Sequence, residues 1–402
     1  MPVPTLKLNA VQVLGCSCFG VVLGVWLKRK LPILDRLNIP APIAGGMVYA
    51  VITLALRDRF LNLEMDMVLR DILMVAFFTT IGMSASLRLI RVGGLQVLWF
   101  FLIATVGAAL QNLVGMGAAR LFGLDPLLGV IAGSVALTGG PATALAFGDT
   151  FEKLGVAGAT ALGLASATFG ITAGGILGGA IGGSLIRRRG LRAAASSPAA
   201  VPALDAPTPA SDEGGSERSP ALYSLVAVGV AMGLGTLISA GFQKMGAILP
   251  AYVGAMIAAA AIRNFDDHLR FARIWQPHVD TIGNISLYIF IVMALLTLRL
   301  WELVHLALPM IVMLVLQIAL VWILCVTLSF FAMGRDYEAA VISAGFCGFM
   351  LGTTANAMAC MDVLAQKHGP APRAFLVVPL VGAFLIDFTN ALLITAAINW
   401  LR

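Results

Sequence analysis

The chain has 402 residues, 59% of them hydrophobic and 11% charged, with a mean hydropathy of +0.95. Soluble domains carry about 25% charged residues, so a water-soluble globular protein is excluded and a polytopic membrane protein is expected. The net charge of +6 does not read as a nucleic-acid footprint, because the basic residues sit in short loops between apolar runs, where they act as topology signals.

Taken in order, the apolar run from Asn9 to Leu27 is followed, not preceded, by Lys28, Arg29 and Lys30. A cleaved signal peptide has the opposite charge order, so this reads as a retained first span with the N-terminus outside. A second span is expected from Ile39 to Arg57, its Pro40 and Pro42 suited to a first helical turn. A mixed-charge loop runs from Asp58 to Asp71, a third span from Ile72 to Leu87 and a fourth from Leu95 to Leu121. Then comes Ser134 to Phe147, apolar but interrupted at Gly139, Gly140 and Pro141, followed by a loop with Asp149, Glu152 and Lys153 and a fifth span from Gly158 to Ile186.

Residues 187–219 open with Arg187, Arg188, Arg189 and Arg192 and continue as Ala, Ser, Pro, Gly and acidic residues. Such a composition cannot bury a core and reads as a disordered linker. Beyond it the pattern returns: Leu249-Pro250-Ala251 answers Ile39-Pro40-Ala41, Leu298-Arg299-Leu300 answers Leu87-Arg88-Leu89, and Asp336 answers Asp125. This predicts an internal duplication, residues 1–186 and 220–402. The counterpart of the first interrupted stretch is Ala344 to Met361, with Gly348 and Gly352 as the expected break. Paired interruptions in two halves of a membrane protein point to a transporter's binding site.

If each interrupted stretch dips in and returns on one side, 17 of the 26 Lys and Arg residues, including the linker arginines, fall on the inside, as the positive-inside rule asks. The expected fold is therefore all-α: two inverted repeats of five transmembrane helices, each with one re-entrant hairpin. Both termini would lie outside and the linker in the cytoplasm.

A helix broken at mid-membrane leaves unpaired amides at one limb, which attract an anion, and unpaired carbonyls at the other, which attract a cation. Thr138, Gly139, Gly140, Thr143, Gly352, Thr353, Thr354 and Asn356 flank the two breaks and are the candidate substrate-binding residues. The plainer alternative is threonines back-bonding within irregular helix. Asp387 stands in an otherwise uncharged run, Val377 to Ala397, three residues before Asn390 and on the same helix face. A carboxylate there costs about 2.5 to 3.5 kcal/mol on insertion scales and usually serves a pathway. Asp387, Asn390 and Thr354 are the candidate sodium ligands, against a purely structural bond between helices. Gln111 and Asn112 are candidates for path lining or interhelical glue; Asp362 and Arg373 read by default as a solvated loop, with a gate pair as the alternative. The cysteines lie inside apolar runs and read as small hydrophobes. His268, His278, His305 and His368 are scattered without HExxH or a nucleophile–base pattern, so no enzyme is expected.

Several uncommon strings resemble the bacterial sodium/glutamate symporter family: Pro40-Ala41-Pro42-Ile43-Ala44-Gly45-Gly46, Ala76-Phe77-Phe78-Thr79-Thr80-Ile81-Gly82, Gln111-Asn112, Leu300-Trp301-Glu302-Leu303 and Val381-Gly382-Ala383-Phe384-Leu385-Ile386-Asp387. The similarity covers the chain apart from the linker. It implies an inner-membrane homodimer that takes up L-glutamate with Na+ by an elevator-like motion. The hairpins differ from the family's usual strings: Gly139-Gly140-Pro141-Ala142-Thr143 stands for Gly-Gly-His-Gly-Thr, and Gly352-Thr353-Thr354-Ala355-Asn356-Ala357 for Gly-Ala-Thr-Pro-Thr-Ala. The alternative kept open is a symporter of the same architecture for a related carboxylate or coupled to protons.

Overall fold

A computed structural model describes residues 3–37, 39–193, 220–269 and 274–402. The expected linker lies outside the described residues from 194 onward. Apolar runs become helices wherever they are long enough, since a membrane interior demands that every backbone group be paired within its own segment.

The first half consists of α1 (Ala10–Lys30), α2 (Ala41–Leu56), α3 (Val68–Ser84), α4 (Gly94–Leu121), α5 (Pro126–Val135), α6 (Gly140–Lys153) and α7 (Ala159–Arg189). The second consists of α8 (Pro220–Lys244), α9 (Ala251–Leu269), α10 (Gln276–Leu296), α11 (Leu300–Ala332), α12 (Tyr337–Met350), α13 (Thr354–His368), α14 (Pro372–Leu380) and α15 (Ile386–Leu401), the last two joined by a π turn at Val381–Leu385. Six helices among the described residues, α1, α4, α7, α8, α10 and α11, are long and apolar enough to cross a membrane. The chain is a nearly all-helical polytopic membrane protein.

Boundaries follow local chemistry. Asn9 and Gln12 form a reciprocal capping box at α1, each side-chain oxygen accepting the other's backbone N–H at 2.9 Å. Pro42 sits in the first turn of α2, where its missing donor costs nothing. The helix ahead of α4 is not continuous with it. Gly94 takes φ 66°, ψ −164°, a conformation glycine adopts without steric cost, and the chain changes direction there.

Three expectations need correction. The mixed-charge loop before α3 contains a strand, β2 (Asn62–Met65), paired in parallel with β1 (Thr5–Leu8), and Lys7 reaches Glu64 at 3.0 Å. Asp149, Glu152 and Lys153 are the last turns of α6 rather than a loop. Gly348 does not break its helix; it lies within α12, and the interruption falls at Leu351–Thr353.

The helices pack in two groups. α1, α2, α3, α8, α9 and α10 contact mainly one another, while α4 to α7 and α11 to α15 form the rest of the molecule. Small residues allow the backbones to meet: a Cβ on Gly24 would stand 1.9 Å from the Ala41 carbonyl oxygen and one on Gly45 1.9 Å from that of Gly20. Such contacts matter in lipid, where dispersion packing replaces the hydrophobic drive. α7 lies against α6, α12 and α13, its glycines facing Leu351, Cys360 and Leu364. Large apolar side chains such as Phe19 and Val22 on α1, Leu225 and Leu237 on α8 and Leu308 and Ile311 on α11 face outward, as a lipid-exposed perimeter requires.

Candidate functional site

Two interrupted helices build the site. α5 starts at Pro126, with Asp125 as N-cap accepting the Leu127 N–H at 2.9 Å. It loosens into a π turn at Ile131–Val135, where Gly133 leaves helical geometry (φ −97°, ψ −125°). Residues 136–139 form a turn that belongs to neither helix. The chain can restart as α6 because Gly140 takes φ 70° and Pro141 occupies the first turn without a lost bond. In the second pair, α12 ends at Met350, and Thr353 caps α13 with its hydroxyl accepting the Asn356 N–H at 3.4 Å. The limbs α12 and α13 cross closely enough that a Cβ on Gly348 would lie 2.7 Å from the Ala357 Cα.

The two breaks meet. Thr138 and Gly139 from the first, Gly352, Thr353 and Thr354 from the second, and Asp387 from α15 line one cavity of about 110 Å³, completed by Phe349, Gly382 and Ile386. Gly140 borders it, its Cβ position 3.8 Å from the Gly352 carbonyl oxygen. Among the described residues, Asp387 is the only ionisable side chain of the lining. The N-terminal ends of α6 and α13 both begin at this cavity, each bringing the positive end of a helix dipole and first-turn N–H groups that have no partner within the helix.

Not every candidate faces the cavity. Thr143 is buried beside Gly139, and Asn356 spends its amide on the Ile171 carbonyl of α7 at 2.6 Å. Thr354 lines the cavity while donating to the Gly382 carbonyl at 2.5 Å. Asn390 is one turn beyond Asp387, but its Nδ2 donates to the Ser134 carbonyl at 2.9 Å, which places it at the first break and not in the cavity lining. The candidate Asp362–Arg373 gate pair is not formed: Arg373 pairs with Asp336 at 2.5 Å, and Asp362 is exposed, as the solvated reading has it.

A buried amide strut holds the breaks in register. Gln111 of α4 accepts from the Thr138 hydroxyl at 2.6 Å and donates to the Met350 carbonyl at 2.9 Å. Its own carbonyl accepts from Gln317 of α11 at 2.7 Å. Next to it, Asn112 accepts the Ser134 N–H at 3.2 Å. Gln111 and Asn112 are thus glue between the two interrupted helices.

A profile of the family described as "Sodium/glutamate symporter" matches residues 6–370. The chain belongs to this family. The sodium/glutamate symporter of Escherichia coli K12 is 37% identical over 392 residues, 96% of either chain, as is that of Shigella flexneri. The sodium/glutamate symporter of Haemophilus influenzae is 32% identical over 389 residues, again 96% of either chain. The cavity where the breaks converge is accordingly the candidate site of a member of a symporter family.

Sequence reasoning missed Gly382, Phe349 and Ile386. Gly382 carried a signal: with Pro379 it interrupts the last apolar run, and the π turn forms at that place. A second missed feature lies between the helix groups. Arg70 of α3 pairs with Asp149 of α6 at 3.1 Å, and buried Tyr252 of α9 shares a hydrogen bond with Thr150 at 3.1 Å. Nothing in the sequence connects residues about 80 and 102 positions apart.

Proposed function

We propose that this chain is a sodium-coupled symporter that imports L-glutamate across the bacterial inner membrane. The observation that carries the reading is the convergence of both helix breaks and Asp387 on one cavity. The amide ends of α6 and α13 receive the substrate carboxylates, with Thr138, Gly139, Gly140 and Thr143 contributed by the first break and Gly352, Thr353, Thr354 and Asn356 by the second. Thr138, Thr353 and Thr354 offer hydroxyls at the cavity wall; Thr143 and Asn356 hold the breaks from behind. Asp387, Thr354 and Asn390 supply oxygens for sodium, the first two at the cavity and the third at the first break. A space this small suits an occluded state, and substrate enters when a hairpin or a helix group moves.

In this reading the molecule has two inverted repeats, 1–186 and 220–402, each of five spans and one re-entrant hairpin. The linker 187–219 is cytoplasmic and both termini are outside. The separate packing of α1–α3 with α8–α10 supports a stationary group against which the rest travels in an elevator-like motion, in a homodimer. Coupling follows from charge: moving a monoanion inward against an inside-negative potential costs about 2.3 kcal/mol per 100 mV, so one sodium neutralises it and a second adds the potential as driving force.

The test is uptake of labelled L-glutamate into liposomes holding purified protein, with and without an inward sodium gradient. Sodium-driven accumulation blocked by unlabelled glutamate is expected. Accumulation driven equally by a proton gradient, or blocked by another carboxylate but not by glutamate, would replace this reading with the alternative raised by the altered hairpin strings.

A further inference from the structure

The first break holds polar atoms that the protein does not satisfy. Ser134 is fully buried in the π turn of α5, and Asn390 of α15 is 1% exposed. The Ser134 carbonyl already accepts from Gly139 N–H at 2.9 Å and from Asn390 Nδ2 at 2.9 Å, and its own N–H is taken by Asn112. What remains is the Ser134 hydroxyl oxygen and the Asn390 amide oxygen, neither with a hydrogen-bond partner among the described residues. Gln317 brings a third unpartnered buried oxygen, Oε1, beside the same turn, its Nε2 lying 3.3 Å from the Cβ position of Gly133. Buried polar groups are almost always paired, and one orphan can be a local defect. Three around the one non-helical residue of a π turn form a pattern, and π turns gather at functional sites.

We propose that Ser134 Oγ and Asn390 Oδ1 hold a sodium ion at a site separate from the Asp387 cavity. The chemistry selects the ion. The oxygens are neutral and no carboxylate is among them, which suits a monovalent cation and not calcium or magnesium, whose sites use carboxylates. Their polarity excludes an apolar ligand. The place explains coupling: Gly139 lines the substrate cavity and donates to the Ser134 carbonyl, so an ion that fixes Ser134 also fixes the first wall of that cavity. Asn390 and Asp387 share α15, and the helix joins the two sites mechanically. The proposal rests on the sodium-coupled reading above and gives the Asn390 oxygen an ion of its own, a second beside the one at Asp387 and Thr354.

Ser134→Ala is the clean variant, because the hydroxyl it deletes has no hydrogen-bond partner among the described residues and its loss breaks no bond there. Full-length protein in nanodiscs is melted without substrate while choline chloride is replaced by sodium chloride at constant ionic strength. An ion at concentration c that binds only the folded state stabilises it by RT ln(1 + c/Kd), and so raises Tm with the logarithm of its concentration once that exceeds Kd. In choline, Ser134→Ala is expected to melt with wild type. In sodium, the concentration needed to reach a given Tm rise should increase roughly 10-fold or more, the usual effect of weakening a metal site. Asp387→Asn should keep a sodium-dependent rise that Ser134→Ala, added to it, removes. The proposal is overturned if Ser134→Ala responds to sodium as wild type does, as a buried water in place of the ion would give. It is overturned too if Asp387→Asn alone abolishes the whole response. Glutamate uptake measured in parallel separates the cases: sodium-driven uptake by wild type with an unaltered Ser134→Ala response removes only this site. Absence of any sodium effect on wild type, in melting and in uptake, removes the symporter reading itself.

Discussion

Gln111→Leu is the perturbation that most directly probes how the two breaks are held together. The side chain makes two buried bonds, to the Thr138 hydroxyl and to the Met350 carbonyl; leucine of similar size removes both and leaves the Thr138 hydroxyl only its weak contact to Met350 Sδ at 3.6 Å. Interhelical hydrogen bonds within membranes average about 0.6 kcal/mol, with a maximum near 1.7, so two bonds amount to about 1 to 3 kcal/mol. The helices carrying them are also held by the packing of Phe100, Phe346 and Phe349, so the loss should loosen the cavity without unfolding the protein. Expressed as affinity it is a rise in KM for glutamate of roughly 5- to 150-fold. Thr138→Val removes one of the same bonds and should raise KM about 3- to 20-fold by the same reasoning. The assay is sodium-driven glutamate uptake in proteoliposomes for both single variants and the double. Because Thr138 and Gln111 share a bond, the double variant should be little worse than Gln111→Leu. If the effects multiply as independent sites do, the strut contributes nothing and the reasoning is refuted.

Other expected outcomes follow from the same geometry. Asp387→Asn should abolish accumulation against a gradient while leaving counterflow exchange of glutamate measurable; retained sodium-driven accumulation would remove Asp387 from ion coupling. Gly348→Ala should cost about 1 to 3 kcal/mol, because its Cβ would stand 2.7 Å from the Ala357 Cα where the limbs cross. Gly179→Ala, with open space around it, is the matched control, and equal melting temperatures for the two would contradict the crossing. Gly140→Ala meets nothing closer than 3.8 Å, so its cost should be the backbone strain of φ 70° alone, about 1 to 2 kcal/mol, read as lost uptake with the fold retained.

The amino-acid sequence by itself determined the class and the outline. Long apolar runs with few charges have no stable alternative to membrane helices, and Gly139-Gly140-Pro141 cannot continue one, so the first break was legible to within a residue or two. Asp387 was legible because a lone carboxylate in an apolar run has no local reason to be there. The second break was displaced: Gly348 reads as a helix breaker, but in α12 it serves close approach to Ala357, a demand set by a neighbouring backbone that local propensity does not contain. The strand pair β1–β2 and the Arg70–Asp149 contact were illegible for the same reason, since each joins segments far apart in sequence. Asp387 and Asn390 share a helix face three residues apart, yet one lines the cavity and the other clasps Ser134. Helical spacing sets the direction in which a side chain leaves its helix; what it meets there is decided only when the other helices have packed around it.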